Sequence, residues 1–176
     1  MQKTNIILIG MPGSGKSTVG IILAKLLQKR FLDTDILIQN YTKKTLQEIV
    51  DSQGHMCLRE IEEKVLLKIR CHNHIIATGG SAAYSTSAMN HLRNNGHIIF
   101  LHTELATLKG RIHNYANRGL AKRREQTLED LFMERQALYE KFTDIIIKTT
   151  HSTQDQVCDN IRQKLQELEF LPSLSK

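Results

Sequence analysis

The chain has 176 residues, 40% hydrophobic and 24% charged, which fits one globular domain able to bury most of its apolar surface. Its longest apolar runs, "NIILIG" and "HIIFLH", are too short to span a bilayer, and no signal-peptide pattern opens the chain, which predicts a cytoplasmic protein with no membrane partner. The net charge of +6 comes without an aromatic-interleaved basic stripe, so it permits nucleic-acid binding without implying it. Anionic small-molecule substrates explain it equally well, and no nucleic-acid partner is expected.

Residues 5–10, "NIILIG", form a continuous apolar run, as in a strand buried on both faces. Beyond a glycine-rich stretch, Val19, Ile22, Leu23, Leu26 and Leu27 recur at helical spacing and predict a helix over 16–29. Phe31 and Leu32 predict a second short strand ending in Asp33 and Asp35. Positions two apart on a strand share a face, so both carboxylates would project into one space. Leu46, Ile49 and Val50 predict a helix closed by Gly54, and Leu58, Ile61, Val65, Leu66 and Ile69 predict the next.

Residues 74–80, "HIIATGG", read as a third strand breaking into a glycine turn. A helix carrying Met89 and Leu92 then leads to a fourth strand at 97–102. Residues 104–113 read as helix, and 114–126, basic with little apolar content, as a mobile loop. Thr127 with Asp130 resembles a capping box ahead of a helix carrying Leu128, Leu131, Phe132, Leu138, Tyr139 and Phe142. A fifth strand at 144–149 and an amphipathic helix to about 169 complete the chain. The alternation predicts an α/β domain with a parallel sheet covered by helices on both faces. Three cysteines without CxxC spacing read as reduced structural thiols, and no metal site is expected among the eight scattered histidines.

The most specific motif is "GMPGSGKS" at 10–17, which matches G-x-x-x-x-G-K-[ST] between a strand and a helix. Its glycines let backbone amides turn inward as an anion nest, and the helix N-terminus adds partial positive charge. Lys16 can reach the β- and γ-phosphates, and Ser17 can ligate magnesium, so a nucleoside triphosphate is expected. Asp33 and Asp35 lie at the sheet edge where ligands of open α/β folds bind, although solvated strand-end carboxylates would look the same. Arg135 falls on the apolar stripe of its helix, where a charge needs a partner; it faces an anion-holding cleft or packs its stem at the stripe's edge. Arg59 and Glu62 are spaced i, i+3, so the glutamate can pin the guanidinium or form a plain exposed pair. Gly79 and Gly80 permit close approach of a ligand, or simply a turn. Two arginines for a carboxylate and a carboxylate for hydroxyls describe a kinase of a small anionic alcohol.

In this order the motifs resemble the shikimate kinase family, of the P-loop nucleoside-monophosphate-kinase-like group. The resemblance covers about residues 5–165, through "GMPGSGKSTVG", "FLDTDILI", "LREIEEKVL", "ATGG", "RGL" at 118–120 and "ERQALYEKFTD" at 134–144. It implies a P-loop NTPase fold: a three-layer α/β/α sandwich with a five-stranded parallel sheet in the order 2-3-1-4-5. A substrate-binding region at about 33–62 and a lid at about 112–126 would sit on a single domain, 1–176, acting as a monomer. The implied reaction is ATP- and Mg2+-dependent phosphorylation of a shikimate hydroxyl, giving shikimate 3-phosphate and ADP for aromatic amino-acid biosynthesis.

Carried over by position, the resemblance makes Lys16, Asp35 and Arg118 catalytic. Gly13, Ser14, Gly15, Lys16, Ser17 and Thr18 would hold the nucleotide's phosphates, Arg111 its adenine, and Asp33 the magnesium shell through water. Asp35 would hold the acceptor hydroxyls and take a proton, while Arg59 and Arg135 grip the carboxylate and the amides of Gly79 and Gly80 contact the ring. Arg118 would close over the transferring phosphoryl group. The sequence departs from the family's pattern at Ser81, where a third glycine is usual, and at "RGLA", where R-P-L-L is usual. Leu58 replaces the phenylalanine before Arg59, and His55 an acidic residue. A kinase of another hydroxy acid such as gluconate, or a nucleotide-binding homologue without catalysis, would share most of these features.

Overall fold

The computed structural model describes residues 3–111, 119–123 and 125–170. Five short strands, β1 (Asn5–Ile9), β2 (Arg30–Asp33), β3 (His74–Ala77), β4 (Gly96–His102) and β5 (Ile145–Lys148), make one sheet. Their order is β2-β3-β1-β4-β5 and every pairing is parallel. All five residues of the central strand β1 are buried, which is why it reads as an unbroken apolar run and not an alternating one.

Alternate residues of β1 feed two cores. Ile7 and Ile9 join Ile76, Phe100, Leu66 and Tyr139 on one face, while Ile6 and Leu8 join Ile75, Ile99, Leu23 and Ile161 on the other. The second core is closed by α1 (Lys16–Leu26) and α7 (Gln154–Glu167). The first is closed by α3 (Leu46–Leu67), α4 (Thr86–Asn95), α5 (Leu105–Arg111) and α6 (Leu128–Phe142). The result is the three-layer sandwich expected of repeated βα units. The capping box at Thr127 and Asp130 is present, with each residue's side chain satisfying the other's backbone amide.

The "FLDTDI" stretch corrects one expectation. β2 stops at Asp33, and a helix that the sequence reading lacked, α2 (Thr34–Thr42), starts at once. Asp33 is its N-cap: the Oδ1 atom accepts from the Asp35 amide at 2.9 Å. Asp33 and Asp35 therefore do not share a strand face; one carboxylate caps the helix and the other rides its first turn. A third, smaller core of Ile38, Ile49, Leu58, Val65 and Ala121 then packs α2 and α3 against the segment 119–121.

Gly54 does end a helix, but a second one follows immediately, so α3 is two helices meeting at a break. At φ 83° and ψ 167°, Gly54 occupies backbone space that is nearly closed to other residues. Gly54→Ala is therefore expected to lower folding stability by about 1–3 kcal/mol in urea unfolding, although a Cβ there meets no neighbour. An unchanged midpoint would show that the break relaxes without strain.

Candidate active site

The phosphate loop joins β1 to α1. Gly13 and Gly15 both have positive φ, 83° and 94°, and Gly15 serves as N-cap of α1, so successive amides face the same hollow. Lys16 is 8% exposed and its Nζ donates to the carbonyls of Gly10 at 2.7 Å and Met11 at 2.8 Å. Burial lowers its pKa from 10.5 to about 8, against the pull of Asp35. The Ser14 hydroxyl is buried with no protein partner. Ser17 Oγ donates to Asp33 Oδ2 at 2.7 Å, so two hard oxygen atoms stand together beside the loop, a donor set suited to magnesium, which keeps several waters.

This loop borders a cleft of about 490 Å3, with Asp35, Glu62, Gly79, Gly80 and Arg135 across from it. Thr18 and Arg111 also line the cleft. Burial raises the pKa of Asp35, with Asp33 adding to the effect and Lys16 opposing it. Glu62 is 2% exposed, accepts a hydrogen bond from Ser81 Oγ through Oε2, and leaves Oε1 without a partner. Burial raises its pKa from 4.5 to about 7, offset in part by Ser81. A Cβ on Gly79 would overlap Glu62 Oε1 and come within 2.7 Å of Asp35 Oδ1, so glycine is what lets both carboxylates reach this point. The Gly79 amide itself donates to Thr34 Oγ1 at 2.9 Å, so Gly79 lends the cleft room more than a free donor. At Gly80 a Cβ would lie 2.7 Å from Arg135 Nη1.

Arg135 lies on the buried stripe of α6, 1% exposed, as its position in the sequence suggests. Its Nη2 donates to the Ala121 carbonyl at 2.9 Å, and Arg59 Nη2 reaches the same oxygen at 3.3 Å. Beside Arg135, Tyr139 donates its hydroxyl to the Gly80 carbonyl at 2.6 Å. Arg59 lines an adjoining hollow, and Glu62 does not pin it: that carboxylate is turned to Ser81. The guanidinium instead lies 3.4 Å above the centre of the Tyr84 ring. The expected i, i+3 pair fails because a hydroxyl at position 81 offers Glu62 a nearer partner on the cleft side.

Of the lid, residues 112–118 and 124, including Arg118, lie outside the described residues. Residues 119–121 are packed, with Leu120 and Ala121 buried and the Gly119 amide donating to Gln47 Oε1 at 2.6 Å, while Arg123 and Glu125 are exposed. Sequence reasoning missed Glu62 as a cleft carboxylate and Ala121 as a core residue. The signal for Glu62 was available, since it falls between Leu58 and Leu66 on an apolar stripe, as Arg135 does on its own.

Glu62 makes stability depend on pH. Its folded pKa of about 7 lies above the unfolded value of 4.5, so the folded state holds the proton more tightly. The resulting stability is full below pH 4.5 and is lost as pH rises through about 7, by roughly 3 kcal/mol. Glu62→Gln, which keeps an oxygen for Ser81, is expected to flatten this decline in urea unfolding measured across that range. An unaltered slope would assign the titration elsewhere.

A model of the shikimate kinase family matches residues 12–166. Shikimate kinase of Rippkaea orientalis is 37% identical over 179 residues, covering 100% of this chain and 92% of that protein. That of Clostridium botulinum strain Eklund 17B is 36% identical over 163 residues, covering 92% and 97%. Among solved structures, shikimate kinase from Acinetobacter baumannii in complex with shikimate superposes with a TM-score of 0.87 at 30% identity, over 98% of this chain and 96% of that one. The match runs from the phosphate loop into α7 and so takes in every residue that lines this cleft: the chain belongs to the shikimate kinase family.

Proposed function

We propose that this chain transfers the γ-phosphoryl group of ATP to a hydroxyl of shikimate, giving shikimate 3-phosphate and ADP. The observation that carries the reading is the meeting, in one cleft, of a phosphate loop with a buried arginine, a buried glutamate and a half-buried aspartate. The amides from Gly13 to Thr18 cradle the phosphates, and Lys16 turns from its own loop carbonyls to the β- and γ-oxygens. Ser17, with Asp33 acting through water, would hold magnesium, which would supply neutralisation of the charge on the phosphates. Arg111 packs on the base, and Arg118 closes over the reaction.

Arg59 and Arg135 take the acceptor's carboxylate in place of the Ala121 carbonyl, which both now share. An anionic oxygen pair is the stronger acceptor, and the planar guanidinium groups fix its orientation. With the acid anchored, Asp35 accepts the proton of the reacting hydroxyl as its oxygen bonds to phosphorus and the bond to ADP breaks. A raised carboxylate pKa suits that task, because it brings the base closer to the operating pH. Gly79 leaves space for the ring, and Gly80, without a Cβ, leaves room for the Arg135 guanidinium beside it.

ADP release coupled to a colour change should be stimulated by millimolar shikimate and not by gluconate; absence of stimulation by shikimate sinks the proposal. Arg135→Ala should raise KM for shikimate on the order of 30- to 100-fold, with ATP affinity within about twofold. An equal loss of ATP affinity would move Arg135 to the nucleotide side. Asp35→Asn should lower kcat by a factor of about 100 or more with the fold retained by circular dichroism, and near-normal turnover would remove it from the mechanism.

A further inference from the structure

Tyr84 closes the short 3-10 turn Ala82–Tyr84 that follows the glycines. Its ring carries Arg59 at 3.4 Å and has the Arg135 guanidinium 5.5 Å from its centre. The Tyr84 hydroxyl donates to Glu134 Oε1 at 2.7 Å, while Glu134 Oε2 receives Gln126 Nε2 at 2.5 Å and Arg123 Nη2 at 3.4 Å. The ring is thus fixed at its far end and presents a face to two cations. Both arginines have a buried Nε without a partner.

We infer that Tyr84 is a positioning residue that holds the Arg59–Arg135 pair ready for a carboxylate without neutralising it. The inference rests on the kinase reading above. Its chemistry is a choice between two ways of holding a guanidinium. A carboxylate such as Glu62 would bind the in-plane N–H fork and cancel the charge, which are the two things an acidic acceptor needs. An aromatic face attracts the cation from above through its quadrupole and leaves the in-plane donors and the net charge in place. The same face lets two like charges stand close together on the Ala121 carbonyl. Ser81 completes the exchange by drawing Glu62 away from Arg59.

The test compares Tyr84→Leu with Tyr84→Phe, using shikimate and its methyl ester. Tyr84→Leu keeps bulk but loses the quadrupole; it should raise KM for shikimate roughly five- to tenfold, with kcat and KM for ATP within about twofold. It should also shrink the preference for the acid over the ester, a ratio that mere loss of packing would leave alone. Tyr84→Phe keeps the face and should restore KM to within about twofold of the parent. A Tyr84→Leu enzyme with unchanged KM, an equal rise for acid and ester, or a Phe variant as impaired as Leu overturns the inference. The Arg59 Nε–H proton resonance, assigned with Arg59→Lys, gives a readout independent of turnover. It should carry an aromatic ring-current shift in the parent and Phe variant that Tyr84→Leu abolishes, and its absence from the parent overturns the inference too. A parent enzyme idle with shikimate but showing that shift would instead sink the kinase reading alone.

Discussion

The site depends on how closely two carboxylates approach one α-carbon. Asp35, from the first turn of α2, and Glu62, from the second half of α3, both come up against Gly79 at the end of β3. Neither would stand there in water-like surroundings by choice, since like charges repel and burial disfavours each ionised form. They are held by what surrounds them: Lys16 and Arg135 supply opposite charge, Ser81 a hydrogen bond, and the third core a rigid seat for α2 and α3. Take away the bare α-carbon and the cleft's polar floor must rearrange.

Charge is arranged in this cleft by side as much as by amount. The phosphate loop offers amides and a lysine held by its own backbone; the opposite wall offers a guanidinium pair resting on an aromatic ring. Between them lies the carboxylate pair, raised in pKa and so ready to take protons more than to hold metal. That division suits two anionic reactants that must meet without being bound by the same group.

The frame of this molecule was readable because its signals are local. A glycine loop between an apolar run and an amphipathic helix has one common explanation, and Arg135 on an apolar stripe needs a partner. The strands and their order followed from the alternation and the family pattern. What escaped depended on competition between neighbours. "FLDTDI" reads as strand until Asp33 is weighed as a helix cap, for a carboxylate followed by two backbone amides competes with strand pairing. Arg59 and Glu62 look like partners on their own helix, and only the folded chain brings Tyr84 to one and Ser81 to the other. Ala121 sits beside charged residues in sequence, and its burial is set by a core assembled from three separate segments.

The break at Gly54 gives α3 a use that a straight rod could not have. An unbroken helix of 22 residues would run about 33 Å in one direction, so at most one stretch of it could face a small cleft. Bent, it turns two separate stretches inward: Gln47 before the break holds Gly119, while after it Arg59 reaches the Ala121 carbonyl and Glu62 lines the cleft. That both stretches reach one side of the fold is therefore set by the direction of the main chain at Gly54. Residue exchanges along the wall can change what the cleft presents, while the turn at one glycine keeps both stretches directed toward it.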